Sequence, residues 1–502
     1  ANTMLVRTTC RLVQVQTGVS TTRTQTRFAS ERVDVAQRTP EERAEKRLSR
    51  NLWFGRGKSQ TGVLPLEDQV AELPPTGKPL KRPGVSSFTL ENGLRVITTD
   101  MPVPGVSISL FKQLGPRFET SKSFGSSHYL KHLYLRDNGW RFNIETARHL
   151  EVAGADMTVS YDREHFHHQF KGVNKNSVKE LGMEFVRNTW APGIQNWDAN
   201  ESRKLIREEV ASASSDPQHV VIDAVHAKAF GSNTLGNGLY CPNYKITNTN
   251  DDVVYEYLHG MQSPERMVLV TSCYDLEKAK EMANTFYNMP KCDTVAPAPA
   301  KYLGGEEEVI PGDYNSTHAA IVWSGETVSS KDAVAQTVLA AVLGQYGPLS
   351  WENSVGSGVS GRMHKLIKSD DAIIRGKVLN LPYSDAGLFG LVAEGADGTA
   401  NELVDKLVAQ ATGLKSVTEK ELATAKGVAK GRAVAALDDP AEFTKFLGEQ
   451  ALYNAVNLTP QEYVKAVDAV TLADVNRVSK KIFSSKPTVA VSGNVENYTK
   501  HF

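Results

Sequence analysis

The chain has 502 residues, 40% of them hydrophobic, with 57 basic and 57 acidic side chains. Formal neutrality argues against a nucleic-acid binder that relies on bulk positive charge, and the length exceeds one typical domain, so two domains plus extra segments are expected. The cysteines, Cys10, Cys241, Cys273 and Cys292, are scattered and form no CxxC pair, which suggests neither a disulfide framework nor a thiolate zinc site and fits a reducing compartment.

In chain order, residues 1–30 come first, with Arg7, Arg11, Arg23 and Arg27, many Ser and Thr, and no acidic residue before Glu31. This is the profile of a mitochondrial presequence. Through residue 85 the chain stays Pro- and Gly-punctuated with few periodic apolar positions, which predicts an extended arm that a neighbour must order. No apolar run approaches the roughly 20 residues that cross a bilayer, so membrane association is expected through partners.

Globular sequence starts at residue 86. "SSFTLENGLRVITTD" reads as strand, Asn92-Gly93 turn, strand. "GSSHYLKHLYLRD" reads as a helix with Leu130, Leu133 and Tyr134 toward the core and His128 and His132 one turn apart on one face. Two imidazoles so placed can meet one metal or form a hydrogen-bonded pair, and the spacing leaves both readings open. Between them stands Lys131, an ammonium at neutral pH that can neither take a proton nor tolerate a nearby dication. A second group, His165, His167 and His168, reads as the polar face of an antiparallel strand.

Thr249 and Asp252 are predicted to open a helix through a capping box, followed by Pro264 and the strand "MVLVTS". The same order returns in Thr471, Asp474, Pro487 and "TVAVSG", with the offset kept to within a residue. An internal duplication follows. The expected organisation is an arm over 1–85, a first domain over 86–292, a linker over 293–306 and a second domain over 307–502. Each domain is predicted to be α+β, a mostly antiparallel sheet packed with helices such as "TANELVDKLVAQATGL".

These motifs, with "HVVIDAVHAKAF", "LYCPNYKI", "YLGGEEE", "VLGQYGPL" and "LPYSDAGLFGL", resemble the insulinase-like (pitrilysin) metallopeptidase superfamily. The likeness is to its mitochondrial branch of processing-peptidase subunits and cytochrome bc1 core proteins, and within that to the core protein 2 group. The resemblance implies that His128 and His132 match two metal ligands of an H-x-x-E-H motif, with Lys131 in the place of the catalytic glutamate. In "ESRKLIREEV" it implies Glu208 as third ligand and Glu201 as the supporting acid. Such a set lacks its base, so the implied protein is not a peptidase, needs no cofactor and can at most retain residual zinc. A stand-alone peptidase using Glu201, Glu208 or Glu209 as base is a weaker reading.

The resemblance further implies a scaffold subunit of complex III on the matrix side of the mitochondrial inner membrane. Its implied partners are core protein 1 or a β-type processing-peptidase subunit, cytochrome b, cytochrome c1, the Rieske iron–sulfur subunit and a second copy of the complex. The alternative is an α-type subunit that recognises processing substrates. Its glycine-rich loop matches Gly344, Gly347, Gly356, Gly358 and Gly361, read either as a peptide-contacting loop or as an interface loop whose glycines serve turns.

Overall fold

A computed structural model describes residues 84–99, 101, 105–134, 136, 142–173, 181–182, 185, 188–189, 192–195, 197–231, 234–272, 276–286, 298–344, 361–369, 372–413, 417–435, 437–453 and 459–500. The expected presequence and nearly all of the arm lie outside the described residues, as do Gly347, Gly356 and Gly358.

Two sheets organise the rest. The first contains β1 (Val85–Thr89), β2 (Arg95–Thr99), β3 (Val106–Lys112), β4 (Asp156–Tyr161), β5 (Phe166–Gly172) and β6 (Met267–Thr271), in the spatial order β1-β2-β6-β3-β5-β4. The second contains β7 (Glu307–Pro311), β8 (Ser316–Ser324), β9 (Ile373–Pro382), β10 (Gly387–Ala396) and β11 (Thr488–Gly493), in the order β7-β11-β8-β10-β9. Apart from the added β1 the two orders coincide. β6 runs parallel to β2 and antiparallel to β3, and β11 runs parallel to β7 and antiparallel to β8. The duplication read from the sequence is thus a repeated topology.

The Asn92-Gly93 segment closes the predicted hairpin, with Gly93 at φ 92° and the Leu94 N–H bound to Asn92 Oδ1. Only one predicted capping box holds. Thr471 caps its helix reciprocally with Asp474, whereas the first helix is capped by Asn250, whose Oδ1 accepts the Val253 N–H, and Thr249 donates to the Lys245 carbonyl one turn back.

The helices needed below are α1 (Ser126–Leu133), α2 (Asp198–Ser215), α3 (Pro217–Phe230), α4 (Asp251–Met261), α5 (Ala333–Leu343), α6 (Ala400–Thr412), α7 (Pro440–Leu452), α8 (Pro460–Ala469) and α9 (Leu472–Phe483). One face of the second sheet packs on α5, α6 and α9 from its own half through Ile321, Phe389, Leu339, Leu403 and Val478. Its other face is covered by α3 from the first half, where Val221, Val225 and Ala229 meet Ala320, Leu388 and Ala490. Reciprocally, α7 from the second half covers the first sheet, with Phe443 and Leu447 against Phe111, Val268 and Val270. Sequence boundaries at 292 and 307 therefore do not separate independent cores. β6 and β11 are buried on both faces, which is why their central residues read as apolar runs.

The "LPYSDAGLFGL" motif forms the β9–β10 turn and joins the halves. Arg117 is buried and pairs with buried Glu164 and with Asp385, and it donates to Ser384 Oγ at 3.0 Å. Glu164 accepts from Ser384 N–H at 2.9 Å and from its hydroxyl at 2.8 Å. Tyr383 donates its hydroxyl to His226 Nε2 at 2.9 Å, while His226 Nδ1 donates to the Ile222 carbonyl. Among the described residues, no helix is long and apolar enough to cross a membrane.

Candidate functional site

Helix α1 carries the site because its start is held tightly. Gly125 takes φ 89°, and a Cβ there would lie 2.3 Å from Cys241 Sγ, so "LYCPNY" can pack beneath the helix only against glycine. Glu119 accepts the Gly125 and Ser127 amides at 2.8 and 2.7 Å, satisfying two otherwise free donors at the helix start. Burial nonetheless raises the Glu119 carboxyl to about 7 against those bonds. Tyr129, Leu130, Leu133 and Tyr134 are buried as expected, and His128 is fully buried beside them.

The acidic residue facing the histidines is Glu209, not Glu208. His128, His132 and Glu209 place one ligand atom each within 4.8 Å of one another, while Glu208 is exposed. Adjacent helical residues differ by about 100° in direction, so only one of the pair can face α1. Glu201 does not support the site either: it lies exposed and pairs with Arg136. One face repeats every seven residues, so the position supporting Glu209 is the buried Ser202, which brings no carboxylate. None of the three carboxylates faces the histidines as a free base: Glu201 pairs with Arg136, Glu208 is exposed, and Glu209 is bound to Lys131 and His128.

Lys131 Nζ donates to both oxygens of Glu209, at 2.8 and 3.0 Å. His128 Nε2 lies 2.7 Å and His132 Nε2 3.3 Å from Glu209 Oε2. Burial would raise the Glu209 carboxyl, but hydrogen bonds from Lys131 and His128 and the neighbouring charges outweigh it and hold the group at about 2. Burial lowers His128 to about 4, and it lowers His132 as well.

The residues do not fit a zinc ion. A ligating histidine donates its second ring N–H to an acceptor and presents a lone pair to the metal. Here the Cys241 amide N–H points at His128 Nδ1 at 3.3 Å, so Nδ1 is the acceptor and Nε2 carries the proton that binds Glu209. The Lys131 ammonium already supplies the positive charge next to the carboxylate. The arrangement is a closed ion-pair and hydrogen-bond cluster with no group free to activate water.

His165, His167 and His168 are not a solvated strand face. His167 stacks on Phe111 at 4.3 Å and His168 packs edge-on against Tyr134, so both faces of β5 are buried. Of the loop glycines, Gly344 ends α5 at φ 73° and Gly361 caps the short helix Arg362–Lys368. Both serve helix ends.

Residues 95–243 match the family described as insulinase (peptidase family M16), and residues 249–428 match the peptidase M16 inactive domain. The mitochondrial-processing peptidase subunit alpha-2 of Dictyostelium discoideum is 29% identical over 420 residues, covering 82% of this chain and 92% of that protein. The mitochondrial cytochrome b-c1 complex subunit 2 of Mus musculus is 28% identical over 424 residues, covering 84% and 92%. A protease from Helicobacter pylori superposes with TM-score 0.74 at 17% identity, over 82% of this chain and 99% of that one. A chain of complex III2 from Candida albicans superposes at 0.70 and 19%, over 83% and 98%. At these identities the solved structures bear on fold alone.

Proposed function

Because the chain belongs to the insulinase-like M16 family, with relatives among both mitochondrial processing-peptidase α subunits and bc1 subunit 2, we propose that it is a non-catalytic core subunit of mitochondrial complex III. The observation that carries this reading is Lys131, which stands in the base position and neutralises Glu209. The chain holds no metal in this reading and contributes structure rather than chemistry. It binds peripherally on the matrix side of the inner membrane, paired with core protein 1 beneath cytochrome b and cytochrome c1, with the Rieske subunit and a second copy of the complex completing the assembly. The interlocked α3 and α7 and the Arg117–Asp385 pair suit a part that stays closed.

The second reading is an α-type subunit that recognises processing substrates, favoured by the 29% identity to the Dictyostelium protein. Purification from mitochondria through a C-terminal tag, with a presequence-cleavage assay on the same fraction, separates them. Cytochromes b and c1 and a Rieske subunit without cleavage support the scaffold. A haem-free pair with a partner bearing an intact H-x-x-E-H motif, and cleavage, overturns it.

A further inference from the structure

A cavity of about 640 Å³ lies between the two halves, outside the His128 cluster. Its walls come from the β4–β5 turn, α3, the β9–β10 turn, α5, α7 and the Tyr463 side of α8. The size falls within the range that encloses a small molecule. Five aromatic rings line it, those of Tyr161, Tyr383, Phe446, Tyr453 and Tyr463. Aromatic faces of this kind favour a cation over an anion.

The charges in the cavity are unevenly matched. Glu164 is answered by Arg117 and Ser384, and Arg163 is spent on Asp223 and on the Asn237 carbonyl. Asp162 meets His165 Nδ1 at 3.0 Å, and the same ring nitrogen lies 2.9 Å from the Tyr453 hydroxyl. Lys331 lies exposed at the cavity. Glu449, half-buried on α7, has no hydrogen bond or close ion pair among the described residues, and the cations that act on it electrostatically are His165 and Lys445. A carboxylate that faces an enclosed, largely apolar space without a donor is the group a ligand's cation would satisfy.

We propose that this cavity binds a small organic cation, an amine or guanidinium on an apolar stem, with its charge at Glu449 and its stem against Tyr161, Phe446 and Tyr453. Glu449 supplies the charge-assisted hydrogen bond, and the rings supply dispersion and quadrupole attraction. This property is independent of whether the chain serves complex III or a processing peptidase.

The test uses the purified full-length chain with two probes, 2-(2-naphthyl)ethylamine and its neutral isostere 2-(2-naphthyl)ethanol, in isothermal titration calorimetry. The amine is expected to bind saturably, and the alcohol at least about tenfold more weakly, in line with the added strength of a charge-assisted hydrogen bond. Glu449→Gln is expected to weaken the amine about tenfold and to leave the alcohol unchanged. Glu442→Gln, which alters an exposed carboxylate on the same helix, is the control and is expected to change neither. No saturable binding, equal binding of the two probes, or an amine affinity indifferent to Glu449→Gln overturns the proposal. Should Glu449→Gln fold poorly, the comparison of probes on the unaltered chain still decides.

Discussion

Arg117→Met tests how much a buried ion pair at the junction of the two halves contributes to stability. The Arg117 and Glu164 side chains are 1% and 2% exposed, so deletion of the guanidinium strands a carboxylate that water cannot reach. Glu164 keeps two bonds from Ser384 but loses its counter-charge. Breaking a buried pair from one side costs about 3–5 kcal/mol. Asp385 is one-third exposed and regains water, so its share adds less than about 1 kcal/mol. The expected loss is therefore about 3–5 kcal/mol in urea unfolding, followed by fluorescence of Trp323 in the second sheet. Adding Glu164→Gln to Arg117→Met removes the stranded charge and is expected to restore more than about 1 kcal/mol. A loss below about 1 kcal/mol, or no recovery in the double variant, would refute the reasoning.

After dialysis against micromolar zinc, the chain is expected to retain substoichiometric metal by elemental analysis, because His128 Nδ1 faces an N–H; one equivalent per chain would contradict that tautomer. Lys131→Glu restores a carboxylate at the base position but not the His128 lone pair, and is expected to give no presequence cleavage in a fluorogenic assay. Acid should destabilise the fold. Burial lowers His167 to about 3, so the folded state stays neutral while the unfolded chain takes a proton below about 6.5, and stability falls as pH drops through that value. At pH 5 this one residue accounts for about 2 kcal/mol, and His167→Phe should remove that part of the pH dependence of the urea midpoint. Gly448→Ala would place a Cβ 2.0 Å from Phe111 Cε2, and is expected to cost about 1–3 kcal/mol in the same measurement.

The sequence by itself determined the repeat, the hairpin and the helices over Ser126–Leu133, Ala400–Thr412 and Leu472–Phe483, because these are written locally. Thr471 and Asp474 lie within one helical turn and cap each other whatever packs around them. Lys131 brings no carboxylate in any fold. Only the tertiary structure decided which acid meets the histidines. Glu208 and Glu209 are equal in the sequence, and the choice rests on the rotation of α2 against α1, a contact between segments 77 residues apart. The same limit hid the exchange of α3 and α7. "HVVIDAVHAKAF" is apolar on most sides, which announces a buried helix but not the sheet that buries it. Burial is non-directional, and long-range pairing is settled by how whole surfaces fit.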